Sequence, residues 1–407
     1  MRATAREFRR PALLGCIAAM LVASGATAQE RIAVVPEAGS PVVATEVLVL
    51  AGPADEPEGK EGIVYLAGRS VVAPIQPLLD SLGARLAIEP HKDAISFTLT
   101  AAPDVWEEAT RALFVSLFRD PPQRAIVERE RETVLNELLS RQSNPADAAS
   151  RAADEAFFGS EHPWGRPTVG TPSSVRELTV QDVDDILRDA FTSDRVVVAV
   201  VGPVDPDSVR DHLLQFVNPA GRLTVEVEPI LSARSPVRRN YNSITTWISV
   251  SYRFPVSADL EAIRFLAQLA LDELEFSPVR RSVFNARAEI SPRITGGELR
   301  FQLVTPPEEA DAWAERILEV VEEVAHEPML EDRFEARLRR YRGERLHSLA
   351  APEERARELA RELLVYGEAS GLAAGIEEMT VERLRAAVGR LSDPIVLFLG
   401  PFQDETG

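Results

Sequence analysis

Apolar residues recur along this chain in two rhythms that alternate in a fixed order. Residues 93–104, DAISFTLTAAPD, alternate apolar and polar side chains at period two, the pattern of a strand with one buried face. They give way to VWEEATRALFVSLFRD, where Trp106, Ala109, Leu113 and Leu117 fall on one side of a helix. Upstream, TEVLVLAG (45–52) reads as an opening strand. Downstream, charged helices are predicted over 126–141 and 147–158, and TVQDVDDILRDAFTSDRVVVAVVGPV (179–204) reads as a helix, a buried strand and a Gly-Pro stop.

The same order returns in the second half. ITTWISVSYRFP (244–255) is predicted as a strand with Ile244, Ile248, Val250, Tyr252 and Phe254 on one face. GELRFQLVTPPEEADAWAERILEVVEEV then passes from strand to amphipathic helix, long helices follow over 330–349 and 353–365, and TVERLRAAVGRLSDPIVLFLGPF (380–402) repeats the helix-strand-stop ending. This is an internal repeat of two similar units. The expected division is an N-terminal domain over 42–216, a breaker-rich and charged connection over 217–241 with the boundary near Ser232, and a C-terminal domain over 242–404. The expected fold class is α+β. Each domain is read as an antiparallel sheet with helices packed on one face, because no regular strand-helix-strand alternation points to a parallel sheet.

Composition narrows this picture. The chain begins with a basic segment, an apolar run over 12–23 and the triplet Ala26-Thr27-Ala28, which reads as a signal peptide over 1–28. That predicts an exported, periplasmic protein; a lipid anchor on Cys16, after Leu13-Leu14-Gly15, is the alternative. Cys16 is the only cysteine and lies in that segment, so disulfides, thiolate metal sites and cysteine nucleophiles are excluded from the mature chain. Beyond residue 28 no apolar run is long enough to be a transmembrane segment. The net charge is -19, and removing the four arginines and one glutamate of the first 28 residues leaves 41 basic against 63 acidic side chains. So acidic a chain is a poor partner for nucleic acid.

Several stretches resemble the insulinase/pitrilysin family of zinc peptidases, the H-x-x-E-H inverzincins that include mitochondrial processing peptidase. GPADEPEGKEG (52–62) is similar to the turn before the family's zinc helix, and LDSLGARL (79–86) to the end of that helix. ERERETVLNELL (128–139) is similar to the segment with the third zinc ligand, and EHPWGRPTVGT (161–171) to a His-Pro-aromatic-Gly stretch. The resemblance implies two histidines four apart on one helical face, a glutamate between them as general base, and a distant glutamate as third ligand. In GIVYLAGR those positions hold Tyr65, Gly68 and Arg69; Glu137 alone remains at the third-ligand position, and Glu130 matches the acidic residue seven positions earlier. Seven residues are close to two turns, so both carboxylates share a face; the resemblance implies that Arg69 lies close to where the metal would sit and pairs there with Glu137. The five histidines, His91, His162, His212, His326 and His347, form no local ligand pair.

The resemblance therefore implies a degenerate, non-catalytic member with no catalytic and no metal residues, and no cofactor expected because the family zinc is lost. It implies a heterodimer with a zinc-bearing homologue, closing a chamber that degrades or processes peptides. The arginine and tyrosine with which partner subunits hold substrate are missing too, their positions falling near Phe284 and Ser291. An active zinc endopeptidase with a rearranged site and a stand-alone peptide-binding or envelope scaffold protein are the competing readings. Glu128 to Glu132 read as a solvated helix face first, and His162 with Trp164 as a structural turn whose functional version is the wall of a peptide cleft.

Overall fold

The computed structural model describes residues 31–221, 223–225, 235–275, 283–326, 331–369 and 374–402; the predicted signal peptide and Cys16 lie outside them. In the first half β1 (Ile32–Pro36) and β2 (Val43–Val49) lead to α1 (Ile63–Val72), α2 (Gln76–Ser81), β3 (Arg85–Pro90) and β4 (Ile95–Ala101). Then come α3 (Trp106–Phe118), α4 (Arg124–Arg141), α5 (Pro145–Phe158), α6 (Pro172–Glu177), α7 (Val180–Ala190), β5 (Val196–Gly202) and α8 (Pro206–Leu213). The second half runs β6 (Val237–Asn240), β7 (Thr246–Phe254), α9 (Leu260–Glu275), β8 (Asn285–Arg293), β9 (Gly296–Thr305) and α10 (Ala310–His326). It ends with α11 (Glu331–Ser348), α12 (Pro352–Tyr366), α13 (Ala374–Glu377), α14 (Val381–Val388) and β10 (Ile395–Gly400).

Two five-stranded sheets result, with orders β1-β5-β2-β4-β3 and β6-β10-β7-β9-β8. Strand for strand these are one topology used twice, as the repeat in sequence predicts. Pairing is antiparallel except at one edge of each sheet, where β1 lies parallel to β5 and β6 parallel to β10. Those two edge strands correct the expected division: β1 precedes residue 42, and β6 falls inside the 217–241 connection. The strand predicted from Ile244 begins at Thr246. Ile248, Val250, Tyr252 and Phe254 face the core as read, whereas Ile244 is 93% exposed because it precedes the ladder.

One face of each sheet is packed by helices of its own half, giving cores that join Val47, Phe97 and Val198 to Leu66, Phe114 and Val183, and Val250, Phe301 and Phe398 to Phe265, Ile317 and Leu384. The other face is covered by a helix from the opposite half. Ala356, Leu359, Ala360, Leu363 and Leu364 of α12 lie on Ala44, Leu48, Val197, Ala199 and Val201 of the first sheet. Ala149, Ala152, Ala153 and Ala156 of α5 lie on Ile395, Leu397 and Leu399 of the second. This exchange explains why β2 and β5 are buried at every position, and why β5 reads as an unbroken apolar run.

Polar contacts reinforce the exchange. Asp93, in the β3–β4 turn, accepts from Arg361 of α12 at 2.7 Å and from the Ile294 N–H at 3.1 Å. Asp154 of α5 binds both Lys92 and Arg300 at 2.7 Å, and Arg300 continues to Glu298 at 2.6 Å. Burial works against the charge on Asp93 and Asp154, but these cations prevail and hold both carboxyls below the usual aspartate range.

Candidate functional site

Helix α1 is buried almost all round: Ile63, Val64, Leu66, Ala67, Gly68, Val71 and Val72 face protein, leaving Tyr65 and Arg69 as its partly open positions. It ends at Val72, where Pro74, lacking an N–H, cannot continue the ladder, and the chain runs on through a 3-10 turn over Ala73–Ile75 into α2. Tyr65 and Arg69, four apart, lie on the side that faces α4. There the Arg69 guanidinium sits among three oxygens. Its Nη1 donates to Glu137 Oε1 at 2.8 Å and to the Tyr65 hydroxyl at 3.3 Å, while Nε and Nη2 reach Glu130 Oε2 at 3.2 and 3.1 Å. Arg129 adds a contact of 3.3 Å to the other Glu130 oxygen. Burial disfavours the Arg69 cation, but the hydrogen bonds and charges of Tyr65 and Glu137 outweigh it and raise its pKa, so the group is charged throughout the working range.

The sequence thus brings together the residues it singled out on α1 and α4, with one change of emphasis. Glu137, the better relic candidate by sequence, has a side chain 42% exposed; Glu130 is the more buried partner at 11%. Beside them a groove of about 380 Å³ is lined by Tyr65, Arg69, Leu86, Ile88, Arg129 and Glu130. Its apolar wall comes from β3, the edge strand of the first sheet.

Gly68 stands where the resemblance puts a general base. A Cβ built there lies 2.4 Å from Ile95 Cδ1 and 3.4 Å from Phe97 Cζ, so α1 rests on β4 with no space for an acidic side chain unless Ile95 moves. The donor set does not fit zinc either. A tetrahedral site needs imidazole, thiolate or carboxylate ligands, whereas here a permanent cation fills the space beside a phenol and the carboxylates. Among the described residues no group of three or more His, Cys, Asp or Glu stands close enough to hold a metal ion.

His162 and Trp164 are placed differently from the cleft-wall reading. Both are buried, 6% and 2% exposed. Phe158 stacks on His162 and meets Trp164 edge-on, and the Arg293 guanidinium of the second half lies 4.9 Å from the Phe158 ring and 5.8 Å from that of Trp164. The pair seals the halves together. Phe284, 65% exposed, and Ser291 lie at the edge strand β8, away from α1. A residue that sequence reasoning quoted but did not single out is Glu56, whose carboxyl group closes the open start of α1 (Oε1 accepts from the N–H of Gly62 at 3.1 Å and of Val64 at 3.2 Å). An acid a short way ahead of a helix that starts after glycine is its only signal.

Comparison with solved structures gives the fold a family setting. The domain described as the peptidase M16 inactive domain from Pseudomonas fluorescens superposes with a TM-score of 0.76 at 17% identity, over 91% of this chain and 95% of that one. The chain has the fold of the M16 peptidases. A protease from Helicobacter pylori matches equally well, TM-score 0.76 at 15% identity over 91% and 96%. In sequence, an uncharacterized zinc protease of Mycobacterium leprae is 41% identical over 90 residues, which is 21% of this chain and 20% of that protein. The match therefore spans about a fifth of that relative's length. No family model matches the chain. The insulinase/pitrilysin resemblance is thereby borne out: in fold over nine-tenths of the chain, and in sequence over the shorter stretch. Among the described residues no helix is long and apolar enough to cross a membrane.

Proposed function

We propose that this chain is a non-catalytic subunit on the M16 scaffold that pairs with a zinc-bearing homologue to complete a peptide-degrading or peptide-processing chamber. The observation that carries this reading is Arg69. Its guanidinium, held by Tyr65, Glu130 and Glu137, fills the place where the resemblance puts a metal, and the base position beside it is a glycine packed against Ile95. Among the described residues at the groove, the arginine cannot accept a proton, and Glu130 and Glu137 are engaged in holding it. The scaffold is nonetheless retained over both halves, as expected of a protein kept for its shape and contacts. The reading includes export to the periplasm, supported by the character of residues 1–28, and no bound zinc.

The test is co-expression of the full chain with a homologue that carries an intact H-x-x-E-H motif. The expected result is a stable complex on size-exclusion chromatography, with chelator-sensitive peptide cleavage that depends on the homologue's motif. This chain alone is expected to contain no zinc and to cleave nothing. Stoichiometric zinc and cleavage by the isolated chain, or failure of the two proteins to associate, would overturn the reading.

A further inference from the structure

The loop that leads into α1 carries a group the proposed function does not use. Glu56 is 5% exposed. Its Oε1 takes the backbone N–H groups of Gly62 and Val64, which the helix itself leaves unpaired, while its Oε2 is buried and, among the described residues, meets no hydrogen-bond partner. The loop is fastened at both ends. At one, Asp55 accepts from the Gly52 N–H at 3.0 Å and binds Arg195 at 2.7 Å. At the other, Ser174 donates to the Glu61 carbonyl at 2.8 Å, and Gly62, at φ 88°, lies so close to the 169–170 turn that a Cβ would stand 2.6 Å from the Val169 carbonyl oxygen. Between these ends the loop is held by Glu56 and by the ion pair of Lys60 with Asp182 at 3.1 Å.

We propose that Glu56 is a proton-operated latch: protonated, it keeps the middle of the loop folded under the first turn of α1, and on ionising it releases that loop. The reason is the asymmetry of its two oxygens. The neutral acid carries its proton on Oε2 and leaves one uncharged O–H without an acceptor, whereas the carboxylate leaves half of a full charge dry, which only water or a cation can relieve. The charged groups facing it are few. Glu61, in the same loop, opposes ionisation; Arg166, across the loop, favours it; the first turn of α1 carries none. Lys60 is drawn away to Asp182 and Asp55 to Arg195. Entry of water, or a swing of Arg166 toward Oε2, requires the middle of the loop to lift, and α1, which carries Tyr65 and Arg69, then loses the cap on its first turn.

The titration falls in an accessible range. Burial pushes the Glu56 carboxyl up to about 7, against the two backbone hydrogen bonds, which favour the anion. Since the folded value lies above the ordinary 4.5, the latch's stabilisation is complete below about 4.5 and is lost as pH rises through about 7.

The experiment uses the full chain alone, so its outcome is independent of partner binding. Carboxyl-carbon NMR of Glu56 is expected to show a midpoint between about 6 and 8; a midpoint below about 5 overturns the proposal. Amide exchange of Gly62 and Val64, corrected for intrinsic rates, is expected to speed up roughly tenfold or more between about pH 5 and pH 8, and Glu56→Gln to stay protected at both. Protection independent of pH, or an equal loss in Glu56→Gln, would sink the latch. Should that variant not fold, the wild-type titration and exchange still decide.

Discussion

At Gly68, where the resemblance puts a general base, the packing of α1 on β4 leaves no room for one. A side chain there points into β4, and the nearest atom is the end of Ile95. Alanine is the better helix former by about 1 kcal/mol, but overpacking costs about 1–3 kcal/mol, so the clash is expected to win. Gly68→Ala should lower the urea midpoint, and adding Ile95→Val, which removes the offending methyl, should recover most of the loss; additive effects in that double-mutant cycle would contradict the contact. Arg69 is a matter of exposure. Solvent screens its bond to Glu137, so Glu137→Ala is expected to cost under about 1 kcal/mol. Arg69→Met leaves Glu130 shielded and without its α1 cation, for which roughly 2 kcal/mol is expected. Arg69→Lys should fall between, because one ammonium cannot reproduce a planar fork spread over Glu130 and Glu137. A urea midpoint of Arg69→Lys equal to that of the wild type would show that charge alone matters.

Among the elements, α5 and α12 decide the architecture. Each follows its half's long charged helix, and each leaves its own half to cover the back of the other sheet. The joint between first and long helix also differs between the halves in sign. In the first, the cation is on α1 and the acids on α4; in the second, Asp272 and Glu273 of α9 bind Arg337 of α11 at 2.7 and 2.6 Å. The repeat keeps the ion pair and reverses its polarity. Leu359, 3% exposed on α12, serves the first sheet although it belongs to the second half. Leu359→Ala is expected to cost about 2–5 kcal/mol, and residues 31–221 expressed alone to aggregate until the second half is supplied. A monomeric, cooperatively folding first half on size-exclusion chromatography and urea titration would contradict the exchange.

For the whole molecule, the exchanged helices and the charges around Asp93 and Asp154 join two repeats into one cooperative body. Urea unfolding is therefore expected to give one transition, coincident by tryptophan fluorescence and circular dichroism; two separated transitions would show independent halves. Acid should act on this joint. With the Asp93 and Asp154 values held below the ordinary 3.8, their stabilisation is present above that pH and is lost as pH falls through the lower folded values. Asp93→Asn should be less stable than the wild type at neutral pH and lose less on acidification, read as the shift in urea midpoint between about pH 7 and pH 3.

The sequence by itself determined the periodicities, and with them the two repeats, the long helices and the strands β2, β4, β5, β7, β9 and β10, because local apolar rhythm records which side of an element is buried. Helical pitch put Tyr65 and Arg69 on one face and Glu130 and Glu137 on another, and the family resemblance implied that the two faces meet. Only the tertiary structure decided what lies against each face. The edge strands β1 and β6 carry little pattern of their own and form by pairing with β5 and β10. The sequence pointed to helices on one face of each sheet; the second cover of the apolar strand β5 came from α12, more than 150 residues away in sequence. Burial of His162 and Trp164, the greater burial of Glu130 than Glu137, and the cap that Glu56 places on α1 depend on neighbours distant in the chain or on how a loop closes, and no local pattern encodes those.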